Sequence, residues 1–406
     1  MDDSTPISLK ERIVSLDVLR GVAILGILLM NVVTFGMVLG AYDDPSVYND
    51  TEGVDWYVWL TLHIFADNKF MSIFSILFGA GVCIFMERAT EKANNAWELQ
   101  ISRMSWLLAI ALVHAYLIWF GDILFTYSLC GLFIAFFRNC KPGTLVTLGI
   151  VMGVIVPIMI FAFFHWSVQF WPPESIEEMA SASEILSEQN QEETAAYLGT
   201  YWDQLKHRAV VSIFMQVFLF PVFLFWRGTG LMFIGMALYK WGVLSGCKSK
   251  KFYATMLSAG LACGVPLVLA GVYFKIQSGF DPILGRFLHS AWNNVGAVFI
   301  ALAWIALVLI ICKTCVLKGL QRCMAAVGRM ALTNYIMQSI LGTWFFYGFG
   351  LGYYGLLERW QMLFVVLGIW LFQIAFSLLW LKHFRFGPLE WLWRCATYMQ
   401  FQKIRL

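Results

Sequence analysis

Apolar stretches recur along the whole chain, at about 21–40, 57–86, 104–120, 122–137, 143–164, 209–239, 252–274, 291–312, 326–348 and 361–382, with short polar segments between them. About 20 apolar residues make a helix long enough to cross a hydrocarbon core. The pattern therefore predicts an all-α polytopic membrane protein of about ten transmembrane helices. The first stretch carries its polar positions in a line. Asp17, Arg20 and Asn31 fall on nearly one side of a helix, because eleven residues at 100° each return to within about 20°. That stripe enters the hydrocarbon by about 16 Å, so it is expected to face other helices or a cavity, not lipid.

Two stretches are too long or too interrupted for one simple span. Residues 57–86 would form a helix of about 45 Å with Asp67, Asn68 and Lys69 in its middle, which predicts a strong tilt or a break lining a cavity. Residues 209–239 contain Pro221, Arg227, Gly228 and Gly230, and a kink or break is expected there. The junction at Gly121 and Asp122 reads as a tight outer turn between two antiparallel helices.

Composition agrees with the pattern: 60% of residues are hydrophobic and 13% charged, against about 25% charged in soluble domains. The placement of charge sets the topology. With an N-terminus in the cytosol, inner segments hold Lys10, Arg12, Arg20, Arg88, Lys92, Arg103, Arg138, Lys141, Lys240, Lys248, Lys250, Lys251, Lys313, Lys318, Arg322, Arg329 and the basic tail. Outer segment 41–56 has no Lys or Arg, and 165–208 has only Lys206 and Arg208. Both termini are thus expected on the cytosolic side of a bacterial inner membrane. The expected organisation is a cytosolic segment 1–20, an N-terminal bundle 21–164, an acidic periplasmic segment 165–208, a C-terminal bundle 209–382 and an interfacial tail 383–406. The acidic segment reads as solvated amphipathic helices capping the outer face, or alternatively as a lid. The start has no cleavage site ahead of the first span, so that span is expected to be retained. The cysteines show no CxxC pair or Cys/His metal spacing, and no metal is expected. Nothing resembles a phosphate loop or a nucleic-acid-binding patch.

Polar groups at membrane depth are the candidates for chemistry, although many such groups only bond helices together. His114 lies ten residues into the third span, and a neutral imidazole is the form that a general base needs. Lys69 needs an acid such as Asp67 or Asp122, or an anionic substrate group. In VGRMALTNYIMQSIL, 327–341, Arg329, Asn334, Tyr335 and Gln338 provide a polar ledge that would bind substrate or cross-link helices. His63 is a further histidine, near the outer end of the second span.

The motifs LDVLRGVAILGILLMN (16–31), KFMSIFSILFGAG (69–81), HAYLIWFGDIL (114–124), VGRMALTNYIMQS (327–339) and FRFGPLEWLWR (384–394) together resemble the YeiB-like bacterial inner-membrane proteins, which carry a C-terminal domain of unknown function. The Asp-x-x-Arg-Gly start, with an Asn ten residues after the Gly, is more distantly similar to heparan-α-glucosaminide N-acetyltransferase of the transmembrane acyltransferase superfamily. That resemblance implies roles for Asp17, Arg20, Gly21 and Asn31, with acyl-CoA as donor. It departs where the family's catalytic histidine would fall, because this chain has Tyr42 there. His114, His63 or a nearby acid would have to replace it.

The expected function is a membrane-bound acyltransferase moving an acyl group from cytosolic acyl-CoA to a periplasmic or lipid-linked glycan-type acceptor. Asn31, His114 and Asp17 form the expected catalytic set. Arg20, Lys69, Asp122, Arg329, Asn334, Tyr335 and Gln338 are the expected donor and substrate contacts. This mechanism predicts that Asn31 and His114 line one pocket open to the cytosol. The lipid bilayer is the expected partner, with a homodimer as an open assembly. The competing reading is a small-molecule transporter, which the broken spans fit equally well. A non-catalytic membrane partner or sensor is a third.

Overall fold

The computed structural model describes residues 13–48, 50–92, 95–172, 174, 182–280, 289–314 and 317–406, except for the side chains of 92 and 182–187. The predicted features at 1–12, and the acidic positions Glu177, Glu178 and Glu184, lie outside what is described. Helices account for nearly all regular structure among the described residues, with one isolated antiparallel bridge between Phe384 and Arg405 in the tail. Among the described residues, eight helical stretches are long and apolar enough to cross a membrane. The remaining two expected spans fall on shorter helices, Leu124–Ala135 and Ala331–Phe346.

Helix α1 (Val14–Gly36) is the axis of the bundle, with almost every residue from Leu16 to Gly36 buried. A helix apolar all round can be stable only when other helices surround it. Its neighbours are α3 (Lys69–Lys92), α13 (Lys318–Arg329), α14 (Ala331–Phe346) and α15 (Arg359–Trp380). The α1–α13 crossing is made by glycine on both sides. A methyl added to Gly21 would overlap the Met324 carbonyl, and one added to Gly328 would overlap that of Asp17. Small residues let two backbones approach closely where lipid gives no hydrophobic reason to associate. A second crossing of this kind joins α3 at Gly79 to α10 (Phe225–Lys240) at Gly235. The two expected bundles are therefore interleaved: α1 and α3 of the first half pack on α13 and α10 of the second.

The long stretch 57–86 breaks, as one of the two expected outcomes. Helix α2 (Gly53–Phe65) stops, Asn68 takes a left-handed backbone with φ 61°, and α3 starts at Lys69. Asn tolerates that conformation better than most residues. Pro221 does not break its helix. Helix α9 (Tyr201–Ile213) continues through a π-helical turn, Phe214–Leu224, into α10, making a 40-residue stretch. It runs straight through the expected 208/209 boundary. Wide π turns absorb the missing N–H of proline.

The junction at Gly121 and Asp122 is a half-buried turn packed under a cap from the acidic segment and α9. Helix α4 (Ala96–Val113) widens into a π-helical turn, His114–Ile118, and α5 starts at Leu124. Arg208 of α9 donates from Nε to the Tyr116 carbonyl at 2.9 Å and from Nη1 to the Ile118 carbonyl at 2.8 Å. Ser212 donates to Ala115 at 3.1 Å. A buried cation on the last carbonyls of a helix is favourable, and here it takes those of the π turn that ends at Ile118. Trp119 and Phe120 then pack beneath Tyr197 of helix α8 (Ala182–Leu198) and beside Phe35. The acidic segment is anchored to the bundle: Glu193 accepts from Leu39 N at 3.0 Å and Tyr354 Oη at 2.9 Å. Burial raises the Glu193 pKa above the ordinary glutamate value.

Candidate functional site

A cavity of about 320 Å³ opens on the basic face of the bundle. Its mouth collects Arg20, Arg88, Arg103, Arg329 and Arg394 against only two carboxylates, Asp17 and Glu390. Its depth is apolar and aromatic, with Phe74, Leu77, Phe78 and Leu107 leading to Tyr127 and Tyr335. Both motif pairs that meet here do so for backbone reasons. The Gly21–Gly328 crossing sets Arg20 beside Arg329, each adjacent in sequence to one of the glycines. Glu390 caps α14: its carboxylate accepts from Leu332 N at 2.7 Å, Thr333 N at 3.1 Å and Thr333 Oγ1 at 2.6 Å. An acid at a helix N-terminus satisfies orphan N–H groups and the local dipole. The tail helix α16 (Pro388–Tyr398) is thereby a wall of the cavity, not only an interfacial anchor.

The arginines are held differently. Arg20 pairs with Asp17 at 3.2 Å and keeps 31% of its side chain exposed. Arg103 lies between the Phe85 and Trp393 rings, at 4.6 and 4.9 Å from their centroids, an arrangement a planar guanidinium suits. Arg329 donates to the Arg385 carbonyl at 3.2 Å.

Next to Tyr335 lies a buried hydrogen-bonded group. His114 Nδ1 is 2.7 Å from Asp122 Oδ2, and His114 Nε2 is 2.9 Å from Ser339 Oγ. His114 is fully buried and Ser339 is 1% exposed. An ionised carboxylate only accepts, so Nδ1 donates to Asp122 and a neutral Nε2 is left to accept from the serine hydroxyl. Asp122 is itself fixed: its Oδ1 accepts from Phe125 N at 2.7 Å at the start of α5. Tyr335 connects this group to the cavity. Its hydroxyl donates to the Gly121 carbonyl at 3.1 Å and accepts from Ile123 N at 3.2 Å, and its ring centroid is 5.1 Å from that of His114. On the opposite side a second cavity of about 220 Å³ is lined by Leu39, Phe120, Glu192, Glu193, Tyr197 and His207. The turn 119–124 thus stands between two cavities, with Phe120 lining one, Leu124 the other, and Asp122 between them in sequence.

Lys69 belongs to a different buried group at the α2–α3 break. Asp67 accepts from Tyr42 Oη at 2.7 Å, from Asn293 Nδ2 at 2.6 Å and lies 3.1 Å from His63 Nδ1. Lys69 Nζ donates to the His63 carbonyl and to Asn293 Oδ1, so its bonds go to neutral acceptors. Tyr42 reaches His63 through Asp67.

The remaining expected residues fall elsewhere. Asn334 and Gln338 are fully buried and bonded to protein: Asn334 donates to Val327 O and Ser377 Oγ, and Gln338 donates to Ile24 O and Gln373 Oε1. They join α14 to α1 and α15 and do not line the cavity. Asn31 is partly exposed and lines neither cavity. Neither of these two cavities is lined by Asn31 or His114, and Tyr335 reaches the first. Ser339, Arg88, Arg103, Arg394 and Glu390 went unnoticed as site residues. In the sequence the arginines stand out only as topological charge, and Ser339 carries no signal beyond its place one turn after Tyr335.

Residues 238–400 match the family model described as "Protein of unknown function (DUF418)". Over nearly its full length the chain is 32% identical to the uncharacterized protein YeiB of Escherichia coli K12, covering 95% of this chain and 96% of that one. The chain belongs to the YeiB-like family. A further relative, the uncharacterized protein YxaH of Bacillus subtilis, is 31% identical and covers 100% of this chain and 98% of its own. A third, an uncharacterized 39.9 kDa protein of Bacillus acidopullulyticus, is 27% identical over 97% of this chain. No solved structure matches. The family model begins within α10, at residue 238.

Proposed function

We propose that this protein is an inner-membrane acyltransferase that takes an acyl group from a cytosolic acyl-CoA and passes it to a hydroxyl or amine of a glycan or lipid-linked acceptor approaching from the acidic face. The observation that carries the reading is the cavity itself: a mouth of five arginines leading to an apolar depth that ends at Tyr335. Such a site fits a ligand that is anionic at one end and apolar at the other. Arginine is the side chain best shaped for phosphate, and an aromatic channel suits an acyl thioester.

His114 is the general base for the acceptor proton. Asp122 holds its tautomer and stabilises the imidazolium as it forms, the division of labour that makes such pairs effective. Reaction requires the Tyr335 side chain to leave its place between Gly121 and Ile123, which opens the cavity to His114. Asn31 has no part in this scheme, and Lys69 belongs to the separate network.

The test is binding of CoA and acyl-CoA to the purified protein in nanodiscs. Saturable binding weakened by Arg20→Ala and Arg329→Ala is expected. Absence of binding by well-folded protein, for short and long acyl chains alike, would overturn the reading. The transporter alternative is favoured by one observation, the charged break between α2 and α3 with Asp67 and Lys69 fully buried. Accumulation of an unmodified solute in sealed vesicles, lost in Asp67→Asn, would decide for it.

A further inference from the structure

We infer that Ser339 is a nucleophile, and that acyl transfer in this protein passes through an acyl-serine intermediate; the inference rests on the acyltransferase reading above. Three side chains, two flanking one turn and the third on α14, converge to place a serine hydroxyl on a histidine and that histidine on a carboxylate. Ser339 Oγ is 2.9 Å from His114 Nε2, and His114 Nδ1 is 2.7 Å from Asp122 Oδ2. That order of nucleophile, base and orienting acid is the general signature of an activated hydroxyl. It is recognised by geometry and roles, whatever the fold.

The surroundings favour a nucleophile over a passive helix bond. A serine inside a helix can satisfy itself by donating to the carbonyl four residues before it, as Ser72 and Ser75 do here. Ser339 spends its hydroxyl on His114. Its own carbonyl accepts from Thr343 Oγ1 at 2.7 Å, which fixes the turn that carries it. Ser339 also stands one turn beyond Tyr335, the residue at the cavity floor, so the side chain that closes the cavity and the hydroxyl behind it lie on one face of α14. The Asp122 turn separates the two cavities, and an intermediate at this depth lets donor and acceptor visit from opposite faces at different times.

The step balances as follows. The Ser339 hydroxyl proton passes to His114 Nε2 while Oγ attacks the thioester carbonyl. A C–O bond forms, the C–S bond breaks, and the departing thiolate takes the proton from His114 to leave as CoA thiol. An acceptor hydroxyl or amine then gives its proton to His114 and attacks the ester carbonyl. The new C–O or C–N bond forms, the serine C–O bond breaks, and the proton returns to Ser339 Oγ.

The experiment is a rapid acid quench of the full-length protein in nanodiscs after mixing with radiolabelled acetyl-CoA or palmitoyl-CoA, followed by peptide mass mapping. Label on the peptide containing Ser339 is expected, falling at least tenfold in Ser339→Ala and in His114→Asn. Ser339→Cys checks folding independently: it should be labelled as a thioester that neutral hydroxylamine removes, while the wild-type ester resists. Saturable acyl-CoA binding with no covalent label in the wild type or in Ser339→Cys would overturn the intermediate and leave direct transfer to the acceptor. Label that persists undiminished in Ser339→Ala would also overturn it. Loss of acyl-CoA binding altogether would remove the acyltransferase reading as well, so the two failures are distinct.

Discussion

Gly21 of α1 and Gly328 of α13 face each other across a helix crossing in which each backbone fills the space a side chain would need on the other. The pair sets the geometry of the cavity mouth, because Arg20 and Arg329 are their immediate neighbours in sequence. Substitution should therefore cost stability before it costs chemistry. Gly21→Ala and Gly328→Ala are each expected to destabilise by about 1–3 kcal/mol, the usual cost of overpacking. Gly319→Ala, where no atom lies within 4 Å of an added methyl, should be neutral or stabilising by about 0.5–1 kcal/mol as a helical Gly→Ala change. Thermal unfolding in detergent reads all three; equal melting temperatures for Gly21→Ala and Gly319→Ala would contradict the crossing.

The His114–Asp122 pair predicts a separation of binding from turnover. Asp122→Asn removes the acceptor that fixes the imidazole, and acyl turnover should fall by about 10²–10⁴, the range for losing a positioned acid–base group. Donor binding should change less than threefold, since neither residue lines the cavity mouth. Steady-state rates and CoA titration on the same preparation check both halves.

Arg103 tests whether the mouth depends on charge alone. Arg103→Lys keeps the charge but loses the planar group that stacks between Phe85 and Trp393. A binding loss of about tenfold is expected, close to that of Arg103→Ala. Affinity should also fall as salt rises from 0.05 to about 0.5 M, because exposed arginines such as Arg20 are screened. Insensitivity to salt would argue against an anionic ligand.

Glu390 supplies a pH dependence. Burial raises its pKa above the ordinary 4.5, against the opposing effect of hydrogen bonds from Thr333 and Leu332. A carboxyl with a raised folded-state pKa binds its proton more tightly folded than unfolded. Its stabilising contribution is complete below pH 4.5 and is lost as pH rises through the folded value. Glu390→Gln keeps an oxygen for the α14 N-terminus and has no proton to lose. It should flatten the decline in melting temperature across that window, and an unchanged slope would exclude Glu390 as its source.

Much of this architecture was legible because it rests on one-dimensional physics. Apolar length, the bias of Lys and Arg, and the charged interruption at 67–69 together dictate a polytopic helical bundle with a tilt or a break in its second stretch, since hydrocarbon tolerates neither unsatisfied backbone nor unpaired charge; packing chose the break. At Pro221, of the expected kink or break, the break does not occur, because a π turn absorbs the proline's missing N–H. How the Gly121–Asp122 turn packs was not legible: Arg208, almost ninety residues downstream, takes carbonyls of the π turn that leads into it.

The site divided along the same line. Sequence alone marked Arg20, Arg329, Tyr335, His114 and Asp122 as costly or unusual in lipid, because desolvation is a property of a residue and its depth. Which of them act together is a property of distance, and that was decided only when α1, α4, α14 and α16 packed. Asn31, on the same stripe as Arg20, turned out to line neither cavity. Asn334 and Gln338 were absorbed as bonds between helices, while Ser339, an ordinary residue by composition, came to rest against His114. Periodicity assigns a residue to a face of its own helix; only the packing of that face against others determines what it meets.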